Sequence, residues 1–473
     1  MSRLKVCCAV VLAFGCNLVA AGETLRPASP ESQGVPSRAI LDWIEACQND
    51  AQTNRFNGGY IHGFVILRHG RTIAEGTFKP QDTLNEPHML YSHSKSFTST
   101  AIGFLVDDGK IDLDDRVLRF FPGQSPAEPS ENLRQLRIRD LLTMNMGADR
   151  IDAYQDDIAG DWVKALLANR FEVAPGTRFR YDSGATHLLA AIVEKVSGKT
   201  LMSFLGERLF NPLGITSAWS TVSPTGVVCG GWGMNMTTRD LARFGQFYLQ
   251  EGCWEGRQLL SREYVRLATS RQTWSGGIVV QAQTIGSGSD WNQGYGFQFW
   301  RCRHDAYRAD GAAGQLTVVF PRQDAVVSVH AGLGDMQREL DLIWQYLLPA
   351  FGDEALPEDP VSQQKLKAAC AALALPLEDN SDCVFEAMDK AKVIEQTQTW
   401  QLVRGERKLL VGKGCWAITE WKFTDDTVEP LFHNVGTRRI AANGYLRADG
   451  KLVVSWQDLG GIRHGRFVVG TAK

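Results

Sequence analysis

The stretch that decides the fold is Tyr91-Ser92-His93-Ser94-Lys95-Ser96-Phe97-Thr98-Ser99. Phe97, Ala101, Phe104 and Leu105 fall on one face at helical spacing, and Gly109 offers a stop, so a helix begins near Ser92. Lys95 then lies one turn after Ser92, on the same face. A serine hydroxyl is a weak nucleophile until a base takes its proton. Lysine becomes that base when burial or the positive end of a helix disfavours its ammonium form. The first backbone N–H groups of the helix are unpaired, and that of Ser92 is placed to stabilise the oxyanion of an acyl transfer. Alone, the S-x-x-K arrangement is common by chance; here it follows a hairpin and opens an apolar helix.

Upstream, Pro36 opens a helix with Ile40, Trp43, Ile44 and Cys47 on one face, and strand patterns at 64–67 and 71–76 flank His69-Gly70 as a hairpin. Downstream, helical patterns cover 138–144, 162–168, 187–196 and 239–250. Strand patterns follow at 298–303, 315–320 and 325–330, then an amphipathic helix at 336–351. Strands from both ends with helices between them predict an α+β layered domain with an inserted helical part. Residues 352–360, with Pro357 and Pro360 among acidic side chains, read as a linker, and a helical stretch follows near 363–373. From about Leu409 short strands alternate with turns, at 415–422, 428–433, 451–457 and 466–469, with Asn443-Gly444 and Asp449-Gly450 as hairpin signals. The expected division is 1–21, 22–353 and a small, mostly β C-terminal domain at 354–473.

Residues 1–21 carry Arg3 and Lys5, an apolar run at 6–15 and Val19-Ala20-Ala21, which reads as a secretory signal cleaved before Gly22. The expectation is therefore an exported, periplasmic or secreted protein without stable membrane insertion; Phe14-Gly15 before Cys16 makes a poor lipid-attachment site. A formal net charge of -3 argues against nucleic acid as a partner. Beyond the signal the cysteines are Cys47, Cys229, Cys253, Cys302, Cys370, Cys383 and Cys415. Their spacing fits no zinc motif, and an odd number leaves one thiol unpaired. Cys370 and Cys383 are near enough in sequence to pair in an oxidising compartment. No metal or organic cofactor is expected.

Two further motifs bear on chemistry. Tyr181-Asp182-Ser183-Gly184 follows Pro175-Gly176 and precedes a helix. From this stretch Tyr181 reads first as a structural loop tyrosine, and second as a proton relay if positive charge lowers its pKa. Arg308-Ala309-Asp310-Gly311-Ala312-Ala313-Gly314-Gln315 lies between two strand patterns. Its small residues let a substrate lie along a strand edge, and a backbone N–H here offers a second oxyanion donor.

Taken in order, these stretches resemble the class C β-lactamases and their esterase and 6-aminohexanoate-dimer hydrolase relatives. Residues 91–99 resemble the nucleophile helix, and Pro175 to Gly184 the Tyr-x-Asn loop. Leu141-Leu-Thr-Met144 and Gly231-Trp-Gly-Met-Asn-Met-Thr-Thr-Arg-Asp-Leu-Ala-Arg-Phe-Gly245 resemble further family landmarks. Gly311-Ala-Ala-Gly-Gln315 sits where the family has Lys-Thr-Gly or its variants. The resemblance covers about 25–350 and implies a β-lactamase/transpeptidase-like fold, an antiparallel sheet flanked by helices with a helical subdomain. By it Ser92 is the nucleophile, Lys95 the base, Tyr181 the relay, and the N–H groups of Ser92 and Ala312 the oxyanion hole; Ser183, Ala309 and Gly311 line the substrate. Two positions depart: Ser183 replaces the family asparagine and Ala309 the family lysine, so a dedicated cation for an acidic substrate is missing. With strand alternation Ala309 faces the site and Asp310 points away. The resemblance then implies a hydrolase of small-molecule esters or amides through an acyl-enzyme. A β-lactamase or D-Ala-D-Ala carboxypeptidase and a catalytically idle cell-wall-binding relative stand as alternatives.

Overall fold

In a computed structural model, residues 25–275, 279–280, 283–284, 288–377, 388–422 and 437–470 are described. The expected signal segment, Cys383 with its pairing, and the strand at 428–433 lie outside them. Helix α1 (Ser37–Gln52) is followed by strands β1 (Gly59–Arg68) and β2 (Arg71–Thr77). His69 and Gly70 join the two strands at φ 51° and 71°, the left-handed pair that matches strand twist in a two-residue hairpin. Then come β3 (His88–Met89), α2 (Ser94–Asp107), α3 (Ser183–Ser197), β4 (Met234–Met236) and α4 (Thr238–Leu249). Strands β5 (Trp300–Arg301), β6 (Tyr307–Gly311), β7 (Gln315–Phe320) and β8 (Ala325–Leu333) and helix α5 (Met336–Leu342) complete this part.

Six of these strands form one antiparallel sheet in the order β5-β6-β7-β8-β1-β2, so the first and last long strands meet at its centre. Register assigns the faces. Phe64 pairs with Val329 and meets Trp43 of α1 edge-on, with ring centroids 4.9 Å apart. Val326 and Thr317 lie on the opposite face, against Gly245 of α4, where a Cβ would come within 2.6 Å of both side chains. Glycine there lets α4 seat on the sheet. Helices thus cover both faces, as the α+β expectation requires. Helix α2 is buried along 94–105 on every side, and so occupies the centre of the helical part rather than its surface.

Three expected elements differ. The strand at 298–303 shrinks to β5, because Gln298 adopts φ 65° and turns its side chain inward. Only Arg308 and Tyr307 of β6 pair with β5, leaving 309–311 without a partner on that edge among the described residues. The helix expected at 187–196 begins earlier, at Ser183, where the Asp182 carboxylate accepts the Gly184 N–H at 2.7 Å and caps it. The helix expected at 336–351 stays α-helical only to Leu342, then widens over Ile343–Leu347 and tightens over Leu348–Ala350.

Helix α6 (Pro360–Ala372) follows the linker. Leu366, Leu373 and Leu375 are buried in the first core, and Leu373 Cδ1 stands where a Cβ on Gly76 would lie 2.5 Å away. A second core begins at Met388 and includes Trp400, Leu402, Val411, Trp421, Trp456 and Phe467. Around it β9 (Lys392–Glu395), β10 (Thr399–Arg404), β11 (Arg407–Lys413), β13 (Thr437–Leu446), β14 (Lys451–Asp458) and β15 (His464–Gly470) form a curled sheet in that order, with β12 (Ala417–Lys422) paired to β13. Strands β9 and β10 precede the expected start at Leu409. Asp449-Gly450 does turn, between β13 and β14, but Asn443-Gly444 lies inside β13. Its glycine instead allows β11 to approach in parallel: a Cβ there would meet Val411 at 2.9 Å. No helix among the described residues is long and apolar enough to cross a membrane.

Among the described residues the first core extends to Leu375 and the second begins at Met388. A chain ended after Asp353 therefore loses three buried leucines worth about 1.5–3 kcal/mol each. It should melt well below a chain ended after Leu377, as followed by circular dichroism. Equal melting temperatures would show that α6 is dispensable to the first core.

Candidate active site

Ser92 does not open the α-helix. It lies in a 3-10 turn, Tyr91–His93, that runs directly into α2 at Ser94. In a 3-10 turn residues three apart eclipse, so Lys95 comes back under Ser92, with Nζ 2.9 Å from the serine Oγ. Tyr91 just before it holds φ 48°, a strained value for a bulky residue. Ser92 is partly exposed while Lys95 is buried.

Two other atoms complete the lysine's surroundings: the Ser183 Oγ at 3.1 Å and the Gly231 carbonyl at 2.7 Å. A neutral amine has two N–H donors and one lone pair. Donation to Gly231 and Ser183 leaves the lone pair for the Ser92 O–H, the arrangement a general base needs. Burial pushes the Lys95 amine down to about 8, against the opposing pull of Asp152, Asp182 and Asp310. The segment that carries Gly231 is laced onto α2: Thr98 donates to the Gly230 carbonyl at 2.9 Å, and the Met234 N–H donates to Ser94 Oγ at 3.1 Å.

Tyr181 faces the Ser92 hydroxyl. Its ring stacks on Trp300, with centroids 5.5 Å apart, and lies 4.9 Å from Lys95 Nζ. The pKa shift runs opposite to the sequence expectation. Burial raises the phenol, and Asp310 and Asp152 raise it further, over the lowering effect of Ser92. Tyr181 thus keeps its proton, which suits a donor to a leaving group and leaves the base's part to Lys95. The Tyr181 loop is held by the Leu141–Met144 stretch through the Arg180 N–H donating to the Met144 carbonyl at 2.7 Å.

The third motif approaches from the sheet. A Cβ on Gly311 would fall 2.0 Å from the Leu90 carbonyl and 3.1 Å from the His93 nitrogen, so only glycine lets β6 reach the Ser92 turn. Ala312 follows it, partly exposed. Gln315 braces that turn, donating to the Ala312 carbonyl at 3.1 Å and the Ala331 carbonyl at 2.6 Å. Ala309 pairs with Thr317 and shares its face, the one that carries α4; Asp310 and Arg308 lie on the other face. Arg308 is fully buried, with Nε 2.6 Å from Asp310 and one terminal nitrogen donating to the Asp290 carbonyl and Cys302. Its charge is paired with Asp310 on the face it shares with Trp300, whose ring stacks on Tyr181. The Ala309 side chain is instead buried in the core against the α4 face, so the expectation that Ala309 faces the site and Asp310 points away does not hold.

Sequence reasoning did not find the Gly231 carbonyl, Asp152, Gln298 or Gln315. Gln298 binds the Leu141 and Leu142 carbonyls, accepts from Thr186 at 2.6 Å, and its own carbonyl accepts from Ser96 at 2.7 Å. It thereby ties α2 to α3 and to the C-terminal end of the short helix Ile138–Leu142. Asp152 at φ 48° accepts the Gly184 N–H at 3.2 Å, and its N–H donates to Asp182 at 3.1 Å. Burial and this neighbouring carboxylate raise the Asp182 pKa. A backbone outlier of this kind has no reliable mark in the sequence.

A family model described as Beta-lactamase matches residues 48–346. The 6-aminohexanoate-dimer hydrolase of Paenarthrobacter ureafaciens is 28% identical over 287 residues, covering 56% of this chain and 70% of that one. Among solved structures, EstCE1, a hydrolase with promiscuous acyltransferase activity, superposes with a TM-score of 0.52 at 20% identity, covering 67% of this chain and 99% of its own. The octameric penicillin-binding protein homologue of Pyrococcus abyssi gives a TM-score of 0.52 at 15% identity, covering 91% and 99%. These structures share the fold.

Two outcomes test the geometry. If neutral Lys95 is the base, kcat/KM for an ester rises about tenfold per pH unit below the amine's value of about 8 and levels above it. Lys95→Arg, permanently charged, should be inactive at every pH; a flat profile or an active arginine variant contradicts the assignment. If the Ala312 N–H is the second oxyanion donor, Gly311→Ala should displace it and lower kcat by roughly 10²–10³-fold, with the fold retained by circular dichroism. Wild-type turnover in that variant would place the oxyanion hole elsewhere.

Proposed function

As this chain belongs to the β-lactamase family of serine hydrolases, we propose that it cleaves esters or non-cyclic amides of small molecules through an acyl-enzyme. Ser92 attacks the acyl carbon while Lys95 takes its proton. The N–H groups of Ser92 and Ala312 hold the oxyanion, and Tyr181 passes a proton to the departing group. Water then attacks the acyl-serine, and the same base assists. The single observation that carries the reading is the Lys95 amine, buried and 2.9 Å from Ser92 Oγ, with its other contacts accounted for by Gly231 and Ser183. It also weighs against an idle relative, which has no need to keep an amine so placed.

Substrate class follows from what the edge of β6 offers. A penicillin needs partners for its amide and its carboxylate. Ala309 supplies no charge, Ser183 is already engaged by Lys95, and Arg308 is paired with Asp310. Each missing charged hydrogen bond costs about 1.5–3 kcal/mol, roughly 10–150-fold in binding. The relative named 6-aminohexanoate-dimer hydrolase supports a linear amide as well as an ester. Export belongs to the same proposal, with processing before Gly22 read from the signal-like start. p-Nitrophenyl butyrate should be hydrolysed with at least about tenfold higher kcat/KM than benzylpenicillin. Steady-state rates on the same preparation decide: penicillin turnover equal to or above ester turnover makes the protein a β-lactamase or D-Ala-D-Ala peptidase instead.

A further inference from the structure

The chemistry above uses no residue of the C-terminal sheet, yet the turn between β14 and β15 reaches the segment that delivers the nucleophile. The Met89 N–H donates to the Gly460 carbonyl at 3.0 Å. Gln81, buried, closes a reciprocal pair on the same turn: its amide donates to the Asp458 carbonyl at 3.1 Å, and its carbonyl oxygen accepts the Gly460 N–H at 3.0 Å. Gly460 holds φ 80°, and a Cβ on it would lie 3.0 Å from the Pro87 carbonyl. Further out, His464 meets Tyr60 edge-on at 5.6 Å, and Arg439 pairs with Glu86 at 2.6 Å.

What lies downstream gives this contact its meaning. Met89 also pairs with Asn235 of β4, and the Leu90 N–H donates to the Met234 carbonyl at 2.9 Å. The Leu90 carbonyl, which accepts the His93 N–H at 3.2 Å, is the atom against which Gly311 rests. Tyr91, strained at φ 48°, comes next, then Ser92. A strained residue holds only where its surroundings over-determine it. Strand β4 fixes one side of the 88–90 segment, and the turn at 458–461 fixes the other.

We propose that the C-terminal sheet is a positioning element of the hydrolase, whose 458–461 turn, locked by Gln81, holds Met89 so that Ser92 stays in register with the edge of β6. The inference rests on the assignment of Ser92 as nucleophile. Gln81 and Gly460 are positioning residues; neither touches the reacting atoms.

The test uses the full chain, p-nitrophenyl butyrate and a fluorophosphonate probe. Gln81→Leu should lower kcat and the rate of probe labelling together by roughly tenfold or more, the scale on which small displacements act. KM should stay within about twofold and the melting temperature near that of the parent. Arg439→Ala cuts an outer contact of the same interface without reaching Met89, and should leave kcat unchanged. Gly460→Ala, which forces the turn itself, should reproduce the Gln81→Leu loss should the leucine variant fold poorly. Parental kcat in Gln81→Leu, a loss that only follows the folded fraction, or an equal loss in Arg439→Ala overturns the proposal. Failure of the parent protein to label at Ser92 overturns the nucleophile assignment itself, and this inference with it.

Discussion

A lysine able to give up its charge at neutral pH must be kept from water and still find partners for its hydrogens; the rest of this structure answers to that constraint. Burial lowers the amine's pKa, and it requires α2 to run through the centre of the helical part, covered from 94 to 105. The two hydrogens need acceptors that do not recharge the amine. A backbone carbonyl, from Gly231, and a hydroxyl, from Ser183, meet that need, where a carboxylate in direct contact would stabilise the ammonium. The acidic groups nearby, Asp152, Asp182 and Asp310, have hydrogen-bond partners elsewhere.

The sheet contributes an edge. Because β5 is short, residues 309–311 present a strand border next to Ser92 that is unpaired among the described residues, and Gly311 allows the two backbones to approach closely. Ala309 brings no charge to that border, and the adjacent cation, Arg308, which shares a face with Trp300, is paired with Asp310. In the function proposed above, a substrate laid along this border would meet backbone hydrogen-bonding groups and the Tyr181 ring, which is backed by Trp300, rather than a free charge.

The site was legible where its geometry is local. Ser92 and Lys95 are three residues apart, close enough to meet across one turn whether α or 3-10; His69-Gly70 and Asp449-Gly450 were legible because their turns are equally local. Partners brought by the tertiary fold were not. Gly231 supplies a carbonyl that any residue could supply, and it could be seen only as part of a family landmark. Asp152 reaches α3 through a left-handed backbone that aspartate adopts without a sequence signature. Asn443-Gly444 misled because a glycine that eases strand approach and one that forms a turn look alike in sequence. The strand expected at 298–303 failed for a tertiary reason: Gln298 leaves the extended conformation to become the hub between α2, α3 and the end of the helix Ile138–Leu142.

The account stands on a covalent intermediate at one hydroxyl. Acid quenching during turnover of p-nitrophenyl butyrate, followed by intact-mass and peptide mass analysis, looks for it directly. The account predicts one butyryl group on the peptide that contains Ser92, lost in Ser92→Ala. A butyryl group on Ser94 or Ser96, or turnover by Ser92→Ala at the parental rate, would contradict it.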